Sequence, residues 1–347
     1  MRNKQFDIML AIGIIFVLMG HSYQPPFLFY PAYTFHMGLF FFVSGYFFKP
    51  KHFLKEKISF IIKKTKTQLI PYFLLLFLFG ILTQVLRQFG INLGAELTLN
   101  SLFVDVLSRA DQFHLYIPCW FLLTLYIVNI TAVLVYGLNK RFNALVFLAS
   151  GCLLYYLLEL GKGNWGDWHL EVIRSGFGLF IFGFGYFFKI YEYKLNPLLL
   201  KPVSLAALYL LVNMLNVHYG NLIYTILFGT INNELVWVPM LSTMAIILMV
   251  YVIAYFLSLI VTENSLLILI GRNTLAIMVW HLTAFLLVNL IFLALGWVSL
   301  EKLSDVFYRF EIEKTWMIYL IFGLFVPVFI ANLYRKVANN RFLKIKR

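Results

Sequence analysis

The sequence predicts an all-α integral membrane protein, a single bundle of about ten transmembrane helices with both termini cytoplasmic. Three observations carry that reading. The 347 residues are 62% hydrophobic and only 12% charged, too apolar for the surface of a soluble protein. Windows of roughly 17 to 25 mostly apolar residues, each long enough to cross a bilayer, recur ten times. Lysine and arginine gather in alternate connections between those windows. No Pro/Gly/Ser-rich linker, low-complexity tract or internal repeat interrupts the succession, so residues 1–347 read as one transmembrane domain.

The first window, 6–22, follows Arg2 and Lys4, and no small-x-small cleavage pattern follows His21, so it is read as a mature helix and not a signal peptide. Asp7, Leu10, Ile14, Val17 and His21 follow three- and four-residue steps and form one stripe, with about 21 Å between Asp7 and His21. Ionisable groups at both ends of one membrane helix face mark a functional element. The second window, 33–48, begins beside His36. A basic run from Lys49 to Lys66, read as an inner loop, leads to the third, 68–87. The fourth and fifth are 117–137 and 142–159. The sixth, 173–190, holds Gly176, Gly178, Gly183 and Gly185; without G-x-x-x-x-G-K-[ST] these glycines indicate close helix packing, not a phosphate loop. Windows 199–217, 238–261 and 272–295 follow, the last with Asn273 near its start and His281 near its middle, and the tenth is 315–334.

An even number of spans puts both termini on one side. With the N-terminus cytoplasmic, 21 of the 28 basic residues lie inside, whereas eleven of the 15 acids lie outside. The net charge of +13 is then an inner-face property, explained by topology and attraction to anionic membrane lipid, and nucleic acid is not needed as a partner. His21 and His36 fall at the outer ends of helices one and two, and His114, His169 and His218 in or beside outer segments. Cys119 and Cys152 sit in apolar segments without metal-ligand spacing, so neither a disulfide framework nor a metal is expected. No G-x-S-x-G or H-E-x-x-H occurs, which argues against a serine-hydrolase elbow or a zincin.

Two runs then carry a resemblance: D-I-M-L-A-I-G-I-I-F-V-L-M-G-H-S from Asp7 to Ser22, and F-H-M-G-L-F-F-F-V-S-G-Y-F-F from Phe35 to Phe48. Weaker echoes are L-I-P-Y-F at Leu69 to Phe73, W-F-L-L at Trp120 to Leu123 and G-R-N-T-L-A-I-M-V-W-H from Gly271 to His281. In this order they resemble the membrane acyltransferase-3 family, especially its fucose 4-O-acetylase-like branch of polysaccharide O-acetyltransferases. The resemblance implies a bundle in a bacterial-type plasma membrane. It implies transfer of an acyl group, usually acetyl, from cytoplasmic acyl-CoA (acetyl-CoA) to a hydroxyl of an extracytoplasmic or lipid-linked glycan, as in exopolysaccharide, O-antigen or capsule. The family's helix-one histidine falls on His21. Its arginine or lysine three residues after the aspartate falls on Leu10, so Lys4 or a base from another helix is expected to supply that cation.

The chemistry stands beside the resemblance. Attack of a neutral hydroxyl on a thioester needs a base, and histidine, with an ordinary pKa near ~6.5, suits that task at neutral pH. His21 is the expected base, and an acyl-histidine relay is the second route. Asp7 is too far along the helix to orient His21, so it is expected to organise the inner mouth or to pair with a cation. The oxyanion needs donors. Asn273 and His281 share a helix face, and Ser22, His36 and Trp120 lie at or near the outer level, so His36, His281, Asn273 and Trp120 are the expected cavity residues, Trp120 alternatively belonging to the interfacial aromatic belt. Lys63, Lys64 and Lys66, nearest the third helix, are the expected partners of the coenzyme A phosphates. The competing readings are a transporter or flippase of a lipid-linked sugar, against which Pro71, Pro118 and Pro239 lie at helix ends, and a scaffold subunit. A homodimer stays open.

Overall fold

The computed structural model describes residues 3–23, 32–109, 111–137, 139–160, 170–220, 224–225, 230–231, 235 and 237–345; His169 lies outside them. Among the described residues the first seven helices are α1 (Lys4–His21), α2 (His36–Tyr46), α3 (Leu54–Lys64), α4 (Ile70–Gln88), α5 (Leu99–Phe103), α6 (Asp105–Ser108) and α7 (Trp120–Val135). The rest are α8 (Lys140–Leu160), α9 (Leu170–Leu199), α10 (Pro202–Tyr219), α11 (Trp237–Ile260), α12 (Leu266–Arg272), α13 (Thr274–Ala294) and α14 (Ile312–Ile345). A two-residue antiparallel hairpin joins Tyr224–Thr225 to Thr230–Ile231. Each predicted window falls on a helix, and eight helical stretches are long and apolar enough to cross a membrane.

Two windows fall short of that standard. α2 has 11 residues and starts only after a 3-10 turn at Ala32–Thr34, because Phe35 (φ −142°, ψ −22°) leaves the helical region. α8 contributes the shorter apolar stretch Arg141–Leu157. The opposite departure occurs at the basic run, which from Leu54 onward is helical and not a loop. Leu54–Gln88 is one 35-residue stretch that passes through a π turn at Thr65–Leu69. At 1.5 Å per residue it measures about 52 Å, well beyond a hydrocarbon core of ~30 Å, so α3 carries its lysines out to the level of the headgroups.

α1 is the central element and packs against α2, α11, α12, α13 and α14. Phe6, Ile8, Met9, Ala11, Ile14 and Leu18 point in several directions and all are buried, as an all-round apolar helix requires. Large apolar side chains are exposed instead on peripheral helices, for example Leu74 on α4, Leu145 on α8, Val217 on α10 and Phe329 on α14, the surface that lipid covers. α2 and α9 touch backbone to backbone. A Cβ on Gly45 would strike the carbonyl oxygen of Phe182, and one on Gly185 that of Phe42, so the glycine-rich stretch of α9 is a packing device.

The start of α1 defines one end of the bundle. Phe6 packs against Tyr46 with tilted rings and against Phe47 edge-on (4.2 and 4.8 Å between centroids), Lys4 Nζ donates to the Val261 carbonyl (2.9 Å) and Gln5 to that of Tyr251 (3.0 Å). The lysines of α3 lie at this end, here called the basic end. His21 marks the other.

Candidate active site

The last turn of α1 delivers His21, the first turn of α2 delivers His36, and the middle of α13 delivers His281. The rings of His21 and His281 lie 5.3 Å apart between centroids, tilted at 35°. Tyr33 bridges to His36, with ring separations of 6.1 Å to His21 and 5.3 Å to His36, and its hydroxyl is fixed on the Gly20 carbonyl (3.0 Å). Phe307 stacks on His21 at 5.7 Å and 14°. His36 and His281 are buried and His21 is half-buried, so His21 is the histidine that stays accessible from this end.

Hydrogen bonding fixes two of the three tautomers. A carbonyl oxygen only accepts, so the ring nitrogen facing it carries the proton. His281 Nδ1 donates to the carbonyls of Ile277 (3.0 Å) and Met278 (2.9 Å), and His36 Nδ1 donates to that of Ala32. In both neutral rings Nε2 is therefore a bare lone pair. His281 Nε2 and His21 Nδ1 are buried without a hydrogen-bond partner among the described residues. Unpartnered ring nitrogens buried side by side call for a ligand: His281 Nε2 suits one that donates, and His21 Nδ1, whose tautomer no carbonyl fixes, can accept or donate.

A cation faces them. Arg309, from the connection between α13 and α14, donates from Nη2 to the His21 carbonyl (3.0 Å) and from Nη1 to those of Val306 (2.8 Å) and Tyr308 (2.6 Å). Its guanidinium lies 4.4 Å from the centroid of Phe285 and 5.5 Å from that of Tyr319. Burial pushes its pKa down to about 10, which leaves it charged at neutral pH. Among the described residues no carboxylate pairs with it, and its Nε–H is buried without an acceptor. Asn289 and Tyr319 strap the connection in place: Tyr319 donates to Asn289 Oδ1 (2.5 Å) and accepts from the Phe310 amide (2.9 Å), while Asn289 holds the Tyr308 carbonyl (3.1 Å).

At the basic end, Asp7 is buried and Arg272 Nε donates to its Oδ2 at 2.9 Å, with Glu263 on the same guanidinium. The cation absent at Leu10 thus comes from the end of α12, and Lys4 turns to a backbone carbonyl instead. Gly271 makes this approach, since a Cβ there would strike the Asp7 carbonyl oxygen. Asn273 belongs to this end and not to the histidine cluster. Its Nδ2 donates to Leu269 (2.8 Å), and eight residues of helix, about 12 Å, separate it from His281.

Among the described residues Trp120 makes its ring contacts with Phe121 and Arg174 and none with the histidines. It is buried under Arg174, 5.5 Å from its ring centroid, and so is not in the interfacial belt. Arg174 pairs with Glu171 (3.4 Å) and holds the Arg109 carbonyl (3.2 Å), and Thr124 donates to Glu171 (2.8 Å), which fastens the α6–α7 connection to α9. Lys63 lines a shallow cavity of about 600 Å³ with Lys51 and Lys55, Lys64 lies over the Phe60 ring at 5.4 Å, and Lys66 stands on the π turn.

Between the two ends is a cavity of about 350 Å³ lined by Leu10, Phe40, Ser44, Gln68, Phe121 and Met278, among others. Leu10 is three residues above Asp7 and Met278 three below His281, so the cavity fills the interval between basic end and histidines. Gln68, carried on the π turn, has a buried Oε1 with no partner among the described residues. π turns of this kind recur at functional sites.

Of the expected site residues, His21, His36 and His281 converge, Asp7 lies at the far end of the same helix, Asn273 stands elsewhere, and Trp120 among the described residues makes no ring contact with the three. Arg309, Tyr33, Gln68 and Arg272 were not among them. The available signal for Arg309 was that, of the three cations between the last two apolar windows (Lys302, Arg309 and Lys314), it is the arginine and is flanked by the aromatics Tyr308 and Phe310. A family model described as an acyltransferase domain matches residues 3–335. No curated protein and no solved structure matches the chain.

Proposed function

The chain belongs to that acyltransferase family and is a membrane acyltransferase, and from this premise we propose that it moves an acyl group, acetyl in the simplest case, from acyl-CoA at the basic end to a glycan hydroxyl at the histidine end, with His21 as general base. One observation carries the reading: ring nitrogens of His21 and His281 and the Nε–H of Arg309, all buried without a hydrogen-bond partner among the described residues, gather at one end of the bundle, and a cavity of about 350 Å³ reaches to Met278, three residues short of His281. Membership of an enzyme family leaves the transporter and scaffold readings without a comparable support. The basic end is the cytoplasmic one in this reading, following the charge distribution.

The donor's phosphates meet Lys63, Lys64 and Lys66, and its pantetheine arm runs through the 350 Å³ cavity, where an amide N–H finds Gln68 Oε1. The thioester carbonyl then lies near the histidines. The glycan oxygen attacks that carbon while His21 takes its proton; the tetrahedral intermediate collapses, the C–S bond breaks, and the proton passes from His21 to the departing thiolate. The products are the glycan ester and free coenzyme A. Neutral His281 cannot serve the oxyanion, because its only N–H is committed to carbonyls and what remains is a lone pair. That lone pair and the one on His36 suit the acceptor's hydroxyls, and the free Nε–H of Arg309 suits the oxyanion.

The deciding experiment compares glycan O-acylation in cells making the native protein or His21→Ala at equal membrane levels. Loss of a general base lowers the rate by about 10²–10⁴-fold. Undiminished acylation by the variant would remove His21 from that role.

A further inference from the structure

Where the start of α3 meets α8, the basic end holds another cavity, of about 580 Å³, with two unlike walls. Lys51, His52 and Lys57 form one. The other is the face of α8 that carries Phe142, Val146, Ala149 and Leu153. Their 4-3-4 spacing makes a continuous apolar stripe of about 16 Å, close to the depth of one leaflet in a core of about 30 Å. The stripe opens sideways, since Leu134 and Leu153 at its edges are 56% and 50% exposed.

The charge on the first wall is not neutralised by protein. Among the described residues neither Lys51 nor Lys57 joins an ion pair, and Lys57 Nζ reaches the Leu134 carbonyl at 3.3 Å. The adjacent acid, Glu56, turns its carboxylate to the backbone amides of His52 and Phe53, at 3.3 and 3.4 Å. Lys51 and Lys57 are half-buried, so they face the cavity with reduced access to water.

We propose that this cavity binds an anionic phospholipid, its phosphate between Lys51 and Lys57 and one acyl chain along the α8 stripe. A soluble phosphate would use the lysines and leave the apolar wall bare, and a zwitterionic lipid would use the wall and leave two ammonium groups uncompensated. Only an anionic amphiphile uses both. The site is separate from the histidine cluster, and its occupancy does not depend on the acyl-transfer reading.

The test loads the full chain, purified in mild detergent, with phosphatidylglycerol or phosphatidylcholine of identical acyl chains and counts retained lipid by native mass spectrometry. The expected result is a preference for phosphatidylglycerol of roughly 10- to 30-fold, the scale set by two lysines near a phosphate. Lys51→Gln/Lys57→Gln abolishes that preference, and Ala149→Trp lowers retention of both lipids by filling the groove. Inorganic phosphate and coenzyme A, added to the unaltered protein, displace neither lipid. An unchanged preference in Lys51→Gln/Lys57→Gln, or undiminished retention of both lipids in Ala149→Trp, would overturn the proposal. Displacement by inorganic phosphate or coenzyme A would overturn it too, reassigning the lysines to a soluble anion. The competition on the unaltered protein decides the matter even where a variant does not fold.

Discussion

In the proposed reaction Arg309 combines two functions in one side chain, and they can be separated. Two of its nitrogens hold the carbonyls of His21, Val306 and Tyr308, a positioning task, while Nε–H faces the site unpaired. Lysine keeps the charge and can reach one carbonyl, but it lacks the planar fork and the Nε–H. Arg309→Lys is therefore expected to fold, with an apparent Tm a few degrees lower, and to lose kcat by about 10²-fold, the cost of one oxyanion donor, with little change in the KM for acyl-CoA. A fall in Tm with kcat intact would confine Arg309 to positioning. His281 gives a complementary expectation. His281→Asn offers a donor as well as an acceptor where only a lone pair stood, so the KM for the glycan should rise at an unchanged KM for acyl-CoA, as steady-state kinetics with each substrate varied would reveal.

At the scale of elements, α1 is fixed to α12 through Asp7 and Arg272. The side chain of Asp7 is 2% exposed and that of Arg272 34% exposed, so the acid bears most of the burial. Removing the cation alone takes from a buried carboxylate the guanidinium that donates to it at 2.9 Å, whereas removing both charges leaves no buried charge to compensate at Asp7. Arg272→Gln is thus expected to lower the apparent Tm more than Asp7→Asn/Arg272→Gln does, and strictly additive losses across the cycle would break the coupling between them. This pair was only half legible in the sequence. The stripe from Asp7 to His21 is visible because helical periodicity is local, while the missing cation at Leu10 is marked only by the family resemblance. The partner is 265 residues away and leaves no periodic trace. The same holds for His21 and Arg309, 288 residues apart. The apolar windows were legible because a bilayer imposes one length and one composition on every crossing helix. The helical run from Leu54 to Gln88 was not, because the lysines of α3 look like a loop until α3 is seen to stand beyond the hydrocarbon. Asn273 shares a face with His281, but face sharing carries no information on depth, and depth is what separates them.

Over the whole molecule, the two ends of the bundle differ in charge, and in the proposed reaction the acyl donor and its acceptor differ in the same way. Acyl-CoA would be the strongly anionic substrate and the glycan hydroxyl the neutral one, so each end would suit one substrate. On that proposal Lys63, Lys64 and Lys66 have two separable duties, setting the orientation of the chain in the membrane and attracting the donor. Orientation depends on the sum of inner-side charges, and 18 of the 21 basic residues assigned to that side remain when these three are neutralised, so the triple glutamine variant should insert normally. Donor attraction depends on charges close to the phosphates and is weakened by salt, with a Debye length of about 8 Å at physiological ionic strength. The native protein should therefore show a KM for acyl-CoA that climbs as salt is raised, while the variant starts about tenfold higher and stays nearly flat, with the KM for the glycan the same in both. Initial rates in membrane vesicles at several salt concentrations measure all of these quantities. A KM for acyl-CoA that keeps its native value and salt slope in the variant would leave the three lysines with orientation alone and move the donor's phosphates to another part of the basic end.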